Sequence, residues 1–398
     1  MKHLSNRINS LAISQTLEMA KRARELKAQG IDVISLNLGE PDFQTPSHVK
    51  AAAKKAIDEG KSFYTPVSGI PELRKAIAEK LVRENGLVDM KAENVVVSTG
   101  AKQSLVNTLM CLINPGDEVI IFAPYWVSYN EMVKLAEGVP VIINGTLENE
   151  YKVTADQVRN AITPRTKAIM YSSPCNPTGA VFSEEELAEI AKVVAEQQDI
   201  YIIADEIYEY INFTGKHFSI GSLDFIKDRV ITVNGFSKGF AMTGWRAGYI
   251  GAPKWIADAC DKMQGQVTSG TCSITQYAAL AAITGDLTET KMMSDAYFRR
   301  KNLVKNLLND IEGIKSNNPQ GAFYFFPDVS AFFGKSYNGQ VIKTSYDLCI
   351  YLLTEANISL VDGEGFGEPN CLRISSAASD ENLTEAMRRM KVALEKLV

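Results

Sequence analysis

Histidine is scarce in this sequence. Only His3, His48 and His217 occur among 398 residues. None sits in a setting that suggests a triad or a metal site, so a catalytic base must come from another side chain. Cysteine is scattered, as Cys111, Cys175, Cys260, Cys272, Cys349 and Cys371, with no C-x-x-C pair. That spacing indicates neither a zinc site nor a disulfide scaffold, and a reducing cytoplasm is the expected compartment. No apolar run approaches the roughly 20 residues of a membrane-spanning helix, and Met1 to Ser10 has no apolar signal core. There is no long basic run. With 42 Lys+Arg against 47 Asp+Glu the net charge is -5, which argues against a nucleic-acid surface but leaves room for a local basic pocket. No repeat or low-complexity stretch is visible. No G-x-G-x-x-G turn follows an early strand, and Gly363, Gly365 and Gly367 lie too late, so a nicotinamide oxidoreductase is disfavoured.

What is present is alternation. Short apolar runs recur at Val95–Ser98, Glu118–Ala123, Pro140–Ile143, Ala168–Ser172, Ile200–Ala204, Val230–Val233 and Gly248–Ile250. Several lack strict alternation, as strands covered on both faces do. Helical patterns lie between them. Pro71 opens one, with Leu73, Ile77 and Leu81 on a face. Ser183 and Glu186 form a capping box before Leu187, Ile190 and Val194. This predicts an α/β domain with a mostly parallel sheet over residues 49–296. The ends read differently. Helices are expected over Thr16 to Ala28 and Tyr297 to Leu308, and Leu383, Met387, Met390, Leu394 and Leu397 recur at helical spacing. Residues 1–48 and 297–398 are expected to form a smaller α+β domain.

Ligands of open α/β sheets bind at the carboxyl ends of the strands. The segments that follow the apolar runs are Thr99-Gly100-Ala101-Lys102, Pro124-Tyr125-Trp126, Ser173-Pro174-Cys175-Asn176-Pro177-Thr178-Gly179, Asp205-Glu206-Ile207-Tyr208 and Ser237-Lys238, the last followed by Thr243-Gly244-Trp245-Arg246. They would bring a lysine, a carboxylate, an aromatic, an asparagine, an arginine and a glycine turn to one rim. Taken singly, Asp205 could be a helix N-cap, Gly100 a strand-to-helix turn and Trp126 a core residue.

In order and spacing the set resembles the class I aminotransferases, fold-type I enzymes that use pyridoxal 5′-phosphate. The resemblance runs from Leu38-Gly39-Glu40-Pro41-Asp42-Phe43 to Arg373-Ile374-Ser375 and implies a large domain with a seven-stranded sheet. It implies that Lys238 bonds the cofactor aldehyde and, once displaced, carries the substrate α-proton. It makes Asp205 the partner of the ring nitrogen. A carboxylate about 4 Å away at an effective dielectric near 20 is worth about 4 kcal/mol, or about three pKa units. Gly100, Ala101, Ser237 and Arg246 would hold the phosphate, at a helix start with free N–H groups. Trp126 would stack on the ring, and Asn176 and Tyr208 would bond its oxygen. The resemblance further implies cis bonds at Pro174 and Pro177. Arg373 would clamp the substrate α-carboxylate, against the backbone of Gly39. Tyr64 would reach the phosphate held by a second copy, which implies a homodimer with shared sites. Thr268-Ser269-Gly270 would line the same cleft.

Throughout, the chain resembles the bacterial Ib subgroup of aspartate aminotransferases. In that subgroup a lysine, matched here by Lys102, with a serine near the N-terminus, matched by Ser14 of the other subunit, favours aspartate or glutamate. An amino group would pass from L-aspartate to 2-oxoglutarate in a ping-pong cycle. Prephenate, aromatic or broad specificity is the alternative. A non-enzymatic regulator would need a DNA-binding module that the short N-terminal arm does not supply. Only the pocket separates a lyase or decarboxylase from a transferase.

Overall fold

The computed structural model describes residues 4–12 and 15–398. Seven strands form the central sheet: β1 (Val95–Ser98), β2 (Glu118–Ala123), β3 (Val139–Asn144), β4 (Thr166–Ser172), β5 (Tyr201–Asp205), β6 (Val230–Gly235) and β7 (Gly248–Gly251). Their spatial order is β1-β7-β6-β5-β4-β2-β3. Only β7 runs against its neighbours, so the other six point their carboxyl ends to one rim. Strands β1, β2, β5, β6 and β7 are buried along their whole length. That is why their sequences are unbroken apolar runs rather than alternating ones.

Helices cover both faces of the sheet, and their starts are locally encoded. Ser183 accepts from the Glu186 N–H and Glu186 accepts from the Ser183 N–H, the reciprocal cap expected from the sequence. Helix Pro71–Asn85 begins at its proline. Helix Ala101–Leu112 begins directly after β1 and Gly100, with its first N–H groups facing the rim.

A second apolar cluster joins the two ends of the chain. It contains Met19, Ala23, Val33 and Leu36 from one end and Val304, Leu348, Ile358, Leu372, Leu383, Met387 and Met390 from the other. Ile34–Ser35 pairs in parallel with Ile358–Ser359, and the Ser375 N–H donates to the Leu36 carbonyl at 2.8 Å. Leu372–Ser375 lies between Tyr324–Phe325 and Val361–Asp362 in a three-stranded sheet.

Several boundaries differ from the sequence-based expectation, most by a residue or two at strand ends. The helix predicted from Tyr297 begins at Thr288 and runs to Asn309. Its added turns alternate charge with Met292 and Met293 and show little apolar stripe. The Asp286 side chain nevertheless accepts from the Thr288 N–H at 3.0 Å and supplies a start signal. Strand β5 is shifted one residue onward from Ile200–Ala204 and ends on Asp205 itself. No helix among the described residues is long and apolar enough to cross a membrane.

Candidate active site

A cavity of about 470 Å³ opens at the carboxyl rim of the sheet. Ala101, Lys102, Trp126, Asn176, Asp205, Tyr208, Ser237, Lys238 and Arg246 line it, and Gly39 and Arg373 reach it from the terminal segments. These side chains come from turns after β1, β2, β4, β5 and β6, so the fold collects what the sequence scatters. Cis peptide bonds precede Pro124, Pro174 and Pro177.

Lys238 donates to the Gly39 carbonyl, and its ammonium lies 5.6 Å from the centre of the Tyr208 ring. Loss of solvent pulls its pKa down to about 8, helped by Arg373 and Arg246 against Glu40 and Asp205. At pH 7 about a tenth of such an amine is neutral, against about one part in three thousand at an ordinary 10.5. In cofactor-free protein, labelling of Lys238 by an aldehyde reagent should climb with pH and level off just above 8. A rise continuing unchanged to pH 10 would show an ordinary lysine.

Asp205 is buried, and burial raises its carboxyl to about 6. Two donors work the other way. Tyr129 donates its hydroxyl at 2.6 Å and the Ile207 N–H donates at 3.2 Å. Neither carries charge, and among the described residues the carboxylate has no ion-pair partner. A protonated ring nitrogen would supply one. Tyr129→Phe removes the stronger donor and leaves Asp205 more often neutral. Cofactor affinity of the stripped protein, read by absorbance titration, should fall about ten- to a hundred-fold, the worth of a hydrogen bond to a charged group.

Arg373 is almost fully buried, and among the described residues it has no carboxylate partner. Its guanidinium donates to Asn176 Oδ1 at 3.1 Å and to the Asn37 carbonyl at 2.7 Å. It lies 4.7 Å from the Tyr324 ring centre and 5.0 Å from that of Phe366. Among the described residues its Nε has no hydrogen-bond partner, and burial lowers its pKa. A buried guanidinium with spare donors is poised for an anion.

Arg246 is exposed and, among the described residues, donates only to the Thr243 carbonyl, at 2.9 Å. A Cβ on Gly100 would sit 2.4 Å from Arg246 Nη2, and Gly100 has φ +83°. Close approach and backbone conformation both require glycine there. The Ala101 and Lys102 N–H groups, at the start of their helix, lie beyond the reach of intrahelical acceptors. With Arg246 they form a cradle for a phosphate. Lys102 places its ammonium 4.7 Å from the centre of the Trp126 ring. Burial, then the charge of Arg246, lowers its pKa.

Gly100, Tyr64 and Thr268 stand apart from the cavity wall. Gly100 lies behind Arg246 rather than in the cavity wall. Tyr64 is 99% exposed and is not part of the wall. Ser14 lies outside the described residues. Thr268 accepts from the Gln103 amide at 2.6 Å instead of lining the cleft. The structure also adds two tyrosines that sequence reasoning missed. Tyr129 follows Trp126 by three residues, and that aromatic spacing was the available signal. Tyr324 shares a 2.7 Å hydrogen bond with Tyr208 between hydroxyls, and a Cβ on Gly39 would lie 2.5 Å from its oxygen. No local pattern announces it.

His217 faces Glu206 at 3.0 Å, with Glu209 close by. The trio has metal-ligand chemistry, but Lys80 already lies against Glu209. Asn85 bonds both acids, at 2.9 and 2.8 Å. Ser219 donates to Glu206 at 2.6 Å. The cluster is a buried ion network whose cations are side chains.

Comparison with known proteins places this geometry. Residues 31–390 match the family described as aminotransferase class I and II. The chain is 45% identical over 394 residues to the aspartate/prephenate aminotransferase of Cereibacter sphaeroides, covering 98% of each. It superposes on the crystal structure of the Rhizobium meliloti aspartate aminotransferase with a TM-score of 0.96 at 41% identity, covering 100% of both chains. The Thermus thermophilus aspartate aminotransferase with maleate gives 0.92 at 41% identity, covering 99% of this chain and 100% of that one.

Proposed function

Because the chain belongs to the class I and II aminotransferases, fold-type I enzymes whose cofactor is pyridoxal 5′-phosphate, we propose that it moves the amino group of L-aspartate to 2-oxoglutarate. The products are oxaloacetate and L-glutamate. One observation carries the choice of a dicarboxylate. Lys102 and Arg373 both line the cavity, and neither has an ion-pair partner among the described residues. Two free cations suit two carboxylates, with a third, Arg246, left for phosphate. The relative bound to maleate, itself a dicarboxylate, supports the same choice.

When bound, the cofactor supplies an aldehyde for the amino group and a ring that draws electron density from the substrate Cα. The residues divide the remaining work. Arg373 grips the α-carboxylate, and Asn176 orients the guanidinium. Lys102 receives the second carboxylate. Asp205 holds the ring nitrogen protonated, with Tyr129 keeping the carboxylate ionised. Lys238, neutral often enough at pH 7, takes the proton from the substrate Cα and returns it on the other side of the exchange. Tyr208 and Asn176 would bond the ring oxygen, Trp126 would stack on the ring, and Ala101, Ser237 and Arg246 would hold the phosphate, with the backbone of Gly100 behind Arg246 completing that end. Tyr64, nearly bare on one subunit, reaches the phosphate held by its partner in a homodimer, and Ser14 joins Lys102 in the same way. A cytoplasmic setting agrees with six cysteines that remain free thiols.

Arg373→Leu should lower kcat/KM for aspartate by about a hundred-fold or more, because a charged pair is lost and Asn176 loses its donor. Steady-state rates for aspartate, glutamate, phenylalanine and tyrosine as donors, and prephenate as acceptor, test the proposal. Aspartate should give the highest kcat/KM among the donors. Preference for an aromatic donor would overturn it. Activity toward prephenate is the second reading, and the 45% identical relative named for both substrates favours it.

A further inference from the structure

Helix Ala101–Leu112, which begins at the phosphate cradle, packs against helix Lys254–Val267. The contact is antiparallel and keeps a fixed register. Gln103 Nε2 donates to Thr268 Oγ1 at 2.6 Å, and one turn on Asn107 Nδ2 donates to Gln264 Oε1 at 3.1 Å. Each step forward by four on the first helix is a step back by four on the second. One turn further, the same register sets Cys111 opposite Cys260. Both belong to one apolar cluster, Cys260 buried and Cys111 partly exposed at its edge.

We propose that Cys111 and Cys260 form a reversible thiol–disulfide site that fastens the cradle helix to its neighbour. Facing residues on packed helices suit the bond. With axes about 8–10 Å apart and Cα atoms about 2.3 Å off each axis, directly opposed Cα atoms come about 3.4–5.4 Å apart, a range that overlaps the roughly 4.4–6.8 Å a disulfide bridges. The two thiols also differ in character. A hydrogen bond from Cys260 lowers the Cys111 thiol, and the same bond, with burial, raises Cys260. Cys111, partly exposed, is the thiol a small oxidant can reach, and buried Cys260 is the resolving one. The oxidant is a low-molecular-weight disulfide. The Cys111 thiolate attacks one of its sulfurs, forming a mixed disulfide and releasing one small thiol. The Cys260 sulfur then attacks Cys111, gives up its proton and releases the second small thiol. Two protein thiols are oxidised and one small disulfide is reduced.

The test uses holoenzyme incubated with oxidised glutathione, blocked with N-ethylmaleimide, digested without reductant and mapped by mass spectrometry. A peptide pair joined through Cys111 and Cys260, cleaved by dithiothreitol, is the expected product. Exposed Cys272 provides the internal control, since with no thiol opposite it should keep a glutathione adduct. In Cys260→Ser the adduct should persist on Cys111 as well. If both cysteines carry maleimide, or if Cys111 of the unsubstituted protein keeps glutathione as Cys272 does, the site does not exist.

Discussion

Lys238→Ala should lose at least about 10⁴-fold in transamination rate, because one amine serves both as the cofactor's attachment point and as the base at the substrate Cα. The two roles can be separated by measurement. Stopped-flow mixing of the cofactor-loaded variant with aspartate should show no conversion of the cofactor's visible band on the timescale of the native enzyme. Equilibrium binding of cofactor should fall less, since the phosphate cradle, Asp205 and Trp126 are untouched. A nearby residue cannot easily replace this amine. Tyr208 and Tyr324 are the hydroxyls at hand, and burial pushes both well above the range in which a phenol acts as a base at neutral pH. Asp205 is turned to Tyr129 and the Ile207 N–H. A variant turning over within tenfold of native would remove Lys238 from the chemistry altogether.

The largest expected effect on stability lies one layer below the site. Lys80, on helix Pro71–Asn85, is 1% exposed and meets Glu209, while Glu206 and His217 complete two positive and two negative groups. Burial opposes the charge of His217, but Glu206 and then Glu209 outweigh it and raise its pKa. Removing one partner of a buried pair leaves the other without compensation, so Lys80→Met should cost about 3–5 kcal/mol. Urea unfolding of the holoenzyme would measure it. The pH dependence has a definite sign. Without Lys80, burial makes Glu209 hold its proton more tightly folded than unfolded, so the loss should be greater at pH 8 than at pH 6. Lys80→Met with Glu209→Gln should recover part of the loss. A single variant within 1 kcal/mol of native would show that the network is a passenger.

The rim residues were legible in the sequence because each follows a strand and stands beside turn-forming residues. Asn176, Lys238 and Arg246 are punctuated by proline and glycine and Asp205 closes an apolar run, and it is their order as a set, not any one of them, that ranks them. The missing layer has no local mark. Tyr129 and Asp205 are 76 residues apart, Lys80 and Glu209 129, and Tyr208 and Tyr324 116. Periodicity tells which face a side chain occupies, not which distant group it meets there. Lys80 illustrates the limit. On a helix of mixed charge it reads as solvated, and only the packing of that helix beside the segment after β5 buries it. The early start of helix Thr288–Asn309 went unread for a related reason. Its first turns carry little apolar stripe, and the cap at Asp286 is a single side chain.

Joining both chain ends in one apolar cluster has a consequence for synthesis. Met19, Ala23 and Leu36 leave the ribosome roughly 270 residues before Val304, the first of their later partners. At about 5–20 residues per second that is a wait of roughly 13–54 s. During it the amino-terminal helix has an apolar face and nothing of its own to cover it, while the central sheet can already close. A nascent chain arrested before residue 304 should therefore present the strand-end wall of the cavity without Tyr324 and Arg373, on a body still trailing a sticky leader, the form on which a chaperone would be expected to act.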